Sequence, residues 1–356
     1  MNDHSETPFE EAFISVPVGK RKIQESEYNP TGSICVVDQG QSLVSGYTDR
    51  DDLLIDDGPY IIFGDHTRIV KYADFPFVTG ADGVRLYKAS ANFEPEYLFL
   101  FLRSSDLPAD GYGRHSKYLK ELAVPNLDRD EQRQITTRLK AQLAEVETAR
   151  QAVHVQLREM TKLADAIIFD SIKHSQTTTL ALGSVLKEVK QGIGQSWANY
   201  PVLGATRSGL APAKEQPGKQ APKYKPAFPG TVFYNPMRIL IGSIAFVDDD
   251  DTPGITSPDY VALQGKQGIV DSRWFYYWLR SPLGEQCILS LARGAVRERM
   301  LFNRLAEGEI ELPRFAGQQR ATVALKELRH LRSAIEQKLR EIELLPQKIL
   351  AQAFGQ

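Results

Sequence analysis

The chain has 356 residues, enough for two domains plus connecting structure, and its 42% hydrophobic and 25% charged content is that of a soluble globular protein. No apolar run approaches the roughly 20 residues that a membrane span needs, which excludes a bilayer-crossing helix. The net charge of −2, from 43 basic and 45 acidic residues, argues weakly against a nucleic-acid partner, although such charges can still separate into a basic and an acidic face.

In chain order, the polar, acidic start Met1-Asn2-Asp3-His4-Ser5-Glu6 has no apolar core behind it, so no signal peptide is expected. Residues 1–128 read as a mixed, mainly β domain, with runs such as Tyr60-Ile61-Ile62-Phe63 bounded by Gly, Pro and Asp. Near its end, Tyr97-Leu98-Phe99-Leu100-Phe101-Leu102-Arg103-Ser104 predicts an amphipathic helix. Then Glu121-Leu122-Ala123-Val124-Pro125 leads into Asp128-Arg129-Asp130-Glu131-Gln132-Arg133: an apolar strand, a proline stop and a polar helix cap.

The segment 129–175 is read as a long spacer helix. Its seam is Leu139, Leu143, Val146, Val153, Leu157, Met160, Ala164 and Ile167, at alternating spacings of three and four. Over about 130–171 such a helix would run roughly 60 Å at 1.5 Å per residue.

Residues 176–316 predict a second mixed, mainly β domain. Its strands include Gly230-Thr231-Val232-Phe233-Tyr234, and the helix Phe275-Tyr276-Tyr277-Trp278-Leu279-Arg280-Ser281 shares the Leu-Arg-Ser ending of the first. Glu309-Ile310-Glu311-Leu312-Pro313 and Gly317-Gln318-Gln319-Arg320 then open a second spacer helix, 317–356. Its seam is Ala321, Leu325, Leu328, Ile335, Leu339, Ile342 and Ile349.

The two seams match at a shift of 182 positions, including the arginine that interrupts each, Arg150 and Arg332, and the letters of Leu157-Arg158-Glu159 and Leu339-Arg340-Glu341. The chain is therefore read as a duplication. A 3–4 stripe must be buried, and the equivalent helix in the same chain is the natural partner. The alternative is that each helix packs only on its own domain. Matched core arginines favour a shared interface, where they fix register at some cost in stability. The fold class expected is α+β: two mixed, mainly β domains separated by two long helices forming an antiparallel intrachain coiled coil.

At this point a family resemblance becomes specific. Tyr60-Ile61-Ile62-Phe63-Gly64-Asp65-His66-Thr67-Arg68 with Gly80-Ala81-Asp82-Gly83-Val84 resembles one type of target-recognition domain from the specificity subunits of Type I restriction–modification systems. Tyr224-Lys225, Tyr234-Asn235-Pro236-Met237-Arg238, Ser257-Pro258-Asp259-Tyr260 and Arg293-Gly294-Ala295-Val296-Arg297 resemble another. The family plan, domain–helix–domain–helix, covers essentially the whole chain. The first domain departs from it in lacking the usual opening tryptophan region. The resemblance implies a non-catalytic subunit that reads a bipartite double-stranded DNA target. Its partners would be two modification (methyltransferase) subunits, where S-adenosylmethionine would bind, and restriction (helicase-nuclease) subunits where they exist. No cofactor is expected in this chain itself. Half-sites at least one duplex turn of about 34 Å apart are compatible with the helix length.

Base and phosphate contacts need polar and basic side chains on accessible loops. In the first domain the candidates are Tyr47, Thr48, His66, Thr67, Arg68, Arg114, His115 and Lys117. In the second they are Lys223, Lys225, Asn235, Arg238, Arg293, Arg297 and Arg299. The plainer reading is that some of these only build loops, with Asp65 and Asp82 capping turns and Arg68 pairing with an acid.

No catalytic residue or metal site is expected. Asn235-Pro236-Met237-Arg238 has no aromatic residue to stack a flipped base, unlike the Asn-Pro-Pro-aromatic motif of amino-methyltransferases. Gly192-Ile193-Gly194 lacks the third glycine of a dinucleotide fold and reads as a flexible loop. There is no phosphate-binding loop, and Pro258-Asp259 lacks the downstream acid-x-lysine of a nuclease. Asp248-Asp249-Asp250-Asp251 reads as a solvated acidic loop. Cys35 and Cys287 stand far apart, which fits a reducing cytoplasm. A second function class stays open, a duplicated-domain protein-interaction scaffold without DNA readout, favoured by the acidic balance.

Overall fold

The computed structural model describes residues 5–80, 82–109, 111, 113–218, 220–292 and 299–355. It divides into two compact units, Met1–Ala152 with Lys338–Gln356, and Val153–Gln337.

In the first unit an antiparallel sheet runs in the order Phe13–Val16, Val84–Ala89, Tyr60–Gly64, Val70–Ala73. Side chains alternate along the buried strand Tyr60–Gly64, so each face meets a different layer. Ile61 and Phe63 pack with Tyr97, Leu98, Phe101 and Leu102 of the helix Pro95–Ser104. Tyr60 and Ile62 pack with Val37 and Phe77 of a second, mixed sheet, ordered Lys22–Ile23, Phe77–Gly80, Ile34–Val37, Gly46–Thr48.

The second unit repeats the first sheet. Its order is Leu186–Glu188, Val261–Gly265, Thr231–Tyr234, Ile244–Val247. Val232 and Tyr234 face Trp274, Phe275 and Trp278 of the helix Ser272–Arg280. Phe233, Ala245 and Ala262 face Leu203, Ala205 and Ala227 on the other side. In both units the strand leading into the long helix pairs antiparallel with a strand near the start of the domain: Ala123–Pro125 with Glu6–Pro8, and Glu309–Pro313 with Thr177–Ala181.

The long helices are Arg129–Lys173, 45 residues, and Phe315–Phe354, 40 residues, the latter carrying Pro346 inside it. They pack on each other within each unit. In the first, Leu139 and Leu350 share a cluster with Leu100, flanked by Leu143, Ile349 and Phe354. In the second, Met160, Ala164 and Ile168 pack among Ala321, Leu325 and Leu328. There Arg332 Nη1 donates to Thr161 Oγ1 (3.2 Å), while residues 167–174 border the same hollow as residues 317–324, so the two stretches run antiparallel. The α+β class with paired long helices is thus the observed one.

Along the seam, Leu139, Val153, Met160, Leu325, Leu328 and Ile342 are buried, and Leu143, Val146, Leu157, Ile335 and Leu339 half-buried. Arg332 also bonds Glu336 on its own helix (2.9 Å), and Arg150 bonds Glu147 on its own (2.8 Å).

Hydrogen bonds set the equivalence of the two halves differently from the sequence match. Gln132 is fully buried: its Oε1 accepts from the Glu94 amide (2.7 Å), and its Nε2 donates to the carbonyls of Asn92 (3.0 Å) and Leu127 (2.9 Å). Gln318, also fully buried, accepts from the Asp271 amide (2.8 Å) and donates to the carbonyls of Ile269 (2.9 Å) and Pro313 (2.8 Å). These glutamines stand 186 apart, and the same shift pairs buried Thr136 with Thr322 and Leu139 with Leu325. The shift of 182 is therefore corrected by four residues. An α-helix turns once in 3.6 residues, so an apolar 3–4 stripe overlays itself after about one turn and cannot distinguish the two registers.

Candidate nucleic-acid interface

In the first unit the turn that follows Tyr60–Gly64 is organised by Asp65, which is 1% exposed. Its carboxylate accepts from the Ser116 amide (2.8 Å) and from Arg85 Nη2 (3.0 Å), and its carbonyl accepts from the His115 amide (2.8 Å). Burial pushes this carboxyl up, but the bonds from Ser116 and Arg85 outweigh it and hold the group below the usual carboxylate range. Gln39 ties in two further loops. Its Oε1 accepts from the His66 amide (3.2 Å), its carbonyl from Thr67 Oγ1 (2.7 Å), and its Nε2 donates to the Asp82 carbonyl (3.1 Å). Arg68, at a left-handed φ of 61°, donates from Nη1 to the Leu107 carbonyl (2.6 Å) rather than to an acid. Asp82 pairs with Lys22.

His66, Thr67, Arg68, Arg114, His115 and Lys117 are thereby brought to one loop cluster, with Arg114 and Lys117 exposed and the Lys117 ammonium 4.8 Å over the Tyr118 ring. Two candidates are corrected. His115 is 2% exposed, with Nδ1 2.8 Å from the Asp65 carbonyl. Thr48, 3% exposed, accepts from the Arg50 amide (3.3 Å), while half-buried Tyr47 bridges through its backbone to Asn29. A buried group cannot reach a groove edge, and a Gly-flanked polar run looks the same in sequence whether it builds a turn or touches a ligand. The cluster also gains Lys22 and Arg85, which sequence reasoning missed because their acids lie 60 and 20 residues away.

In the second unit Asn235 Oδ1 accepts from the Met237 amide (2.9 Å), closing its own turn. The Met300 amide donates to the Pro236 carbonyl (3.1 Å), which sets exposed Arg299 beside the loop of exposed Arg238. Lys225 is half-buried: its Nζ donates to the Tyr260 carbonyl (2.6 Å), and burial pushes its pKa down. Lys223 is exposed at the end of the short helix Ala221–Lys223. Arg293 and Arg297 lie outside the described residues.

The acidic loop 248–251 is not simply solvated. Asp248, 1% exposed, is held by Arg273 and by Arg329 Nη1 (3.0 Å), while Arg329 also reaches Asp251. Burial raises the Asp248 carboxyl, and the bond from Arg273, the Asp249 amide (2.7 Å) and the charges of Arg273 and Arg329 together more than offset it, leaving it below its ordinary value. The sequence shows the four aspartates but not the basic helix face they meet.

Among the described residues no group of three or more His, Cys, Asp or Glu is placed to hold a metal ion, and no helix is long and apolar enough to cross a membrane. What the two loop clusters offer is arginine, lysine and amide donors, the groups that meet phosphates and base edges.

No family model and no curated protein matches the sequence. The fold, however, is shared with a chain from a structure of complex assembly and conformational transition of the type I R-M system: TM-score 0.64, 17% identity, covering 99% of this chain and 98% of that one. A Type I restriction–modification S subunit from M. genitalium aligns at TM-score 0.48 and 15% identity, over 99% of this chain and 97% of that one. The HsdS subunit from Thermoanaerobacter tengcongensis aligns at 0.47 and 16%, with the same 99% and 97% coverage.

Proposed function

We propose that this chain is the DNA-specificity subunit of a Type I restriction–modification complex, a non-catalytic protein that reads a bipartite target. The observation that carries the proposal is the duplicated domain–helix–domain–helix chain, together with its end-to-end likeness in fold to a chain of a type I R-M system at a TM-score of 0.64. Each domain would read one half-site, through loop arginines, lysines and amides in the grooves. Two methyltransferase subunits would bind S-adenosylmethionine and perform the methyl transfer, with restriction subunits joining where they exist. The site of action would be the cytoplasm.

The test is single-molecule methylome sequencing of a host expressing this chain with its methyltransferase partner. New N6-methyladenine at a split motif, lost when this gene is deleted, is the expected result. Unchanged methylation with the partner expressed and bound would overturn the reading. It would favour the second one, a protein-interaction scaffold, which the net charge of −2 supports.

A further inference from the structure

The total charge hides an uneven distribution. Residues 187–238 carry eight basic and two acidic side chains, in a chain whose net charge is −2. Part of this stretch folds in the second unit into a platform of two short helices, Gly194–Asn199 and Ala221–Lys223. The platform is tightly built. The Ile193 amide donates to the Tyr224 carbonyl (2.7 Å), and a Cβ on Gly192 would lie 2.5 Å from the Pro222 carbonyl oxygen and 2.8 Å from the Lys223 Cα. Tyr200 packs its ring on Phe228 at 5.1 Å. Gly192 is therefore not a flexible spacer but the point where two backbones touch.

The side chains above this backbone point to a polyanion. Lys190, Gln191, Gln195, Ser196, Asn199 and Lys223 are exposed. Lys190, beside Glu188 at 3.4 Å, keeps 78% of its side chain exposed. Amides pair bidentately with adenine edges and ammonium groups meet phosphates or guanine. The short helix Gly194–Asn199 presents Gln195, Ser196 and Asn199 as exposed polar side chains within about two turns of 3₁₀ helix. By contrast, the loop of Asn235 commits its amide oxygen to its own turn.

We infer that this platform is the base-reading edge of the second unit, with Gln191 and Gln195 presented to base edges and Lys190 and Lys223 on the flanking phosphates. The inference rests on the specificity reading above and adds which surface does the reading. The experiment uses the full chain assembled with its methyltransferase partner, read by methylome sequencing and by binding of the complex to a duplex carrying the motif at several salt concentrations. Gln191→Ala and Gln195→Ala are expected to relax one or two adjacent positions of one half-site, raising methylation at singly mismatched sites about tenfold. Lys190→Ala with Lys223→Ala is expected to leave the motif intact and to lower the slope of log affinity against log salt by about 2. If the wild-type complex methylates a split motif but these variants, assembled normally, keep both the motif and the slope, the platform is not the reader. If the wild-type assembly methylates no split motif, the specificity reading itself fails.

Discussion

The two units hold the root of their long helix in the same way and surround it with different charge. In both, a buried glutamine bonds two carbonyls and one amide of the domain. Around it, the first unit uses partly exposed pairs: Glu94 with Arg129 (2.8 Å) and Arg133 (2.9 Å), and Glu96 with Lys140 (2.6 Å). In the second unit Arg273, two residues after the amide that meets Gln318, stands where Glu96 stands after Glu94, and it is drawn into a buried network with Asp248 and Arg329. Neutral hydrogen bonds are common to both halves, whereas ion pairs differ in sign, partner and depth. The lesson is that here directional bonds to backbone define the joint and charge is a local elaboration.

The largest test of that contrast is to break one ion pair in each unit. Arg273→Ala leaves the Asp248 carboxylate buried and under-compensated and should cost about 3–5 kcal/mol in denaturant unfolding. Arg133→Ala, which removes a partner 60% exposed, should cost less than about 1 kcal/mol. Equal losses would erase the distinction between the networks.

Acid should separate the units next. Asp248 binds a proton less readily folded than unfolded, so the stability it lends is complete above the unfolded carboxyl value near 4 and is lost as pH falls below it. All three tryptophans, Trp197, Trp274 and Trp278, lie in the second unit, so their fluorescence reports its acid transition. Asp248→Asn should flatten that limb of the stability profile, and an unchanged limb would remove Asp248 from the account.

The shared joint gives a smaller, symmetrical effect. Gln132→Leu and Gln318→Leu each orphan one amide and two carbonyls and should each cost about 1–3 kcal/mol. A cost confined to one unit would show that the joints are not equivalent.

The smallest difference concerns the threonines one turn further on. Thr322 Oγ1 donates to Asp271 Oδ1 (2.9 Å), but buried Thr136 Oγ1 has no partner among the described residues. Thr322→Val should therefore cost about 1 kcal/mol, and Thr136→Val should be neutral or slightly stabilising, as read by thermal denaturation.

Much of the architecture was legible because it depends on apolar spacing. The seams from Leu139 to Met160 and from Leu325 to Ile342 marked both long helices, and the common Leu-Arg-Ser endings marked the helices now seen as Pro95–Ser104 and Ser272–Arg280. What spacing cannot carry is a partner's identity. Gln132 and Gln318 are polar letters in a polar cap, and only their bonds reveal the register of 186. The candidate interface was legible as a set of loops but not residue by residue. Nothing local distinguishes His115, folded inward onto Asp65, from its exposed neighbour Arg114. Nothing local announces that residues 192–194 and 222–224 touch, because the contact joins segments about thirty residues apart.

The glutamine joints have one further consequence. If the chain reads DNA as proposed, it would work at the edge of a polyelectrolyte, where counterions are released on binding and the local ionic strength differs from bulk. Salt weakens contacts between exposed charges over distances of about 8–10 Å, yet it leaves a buried amide-to-carbonyl bond nearly untouched. Because each long helix is rooted through such uncharged bonds, its attachment to its own domain should hold across the salt range that would govern the proposed association with a duplex. Under that proposal, adhesion to the nucleic acid would be tuned by ions without loosening the joint behind the loops.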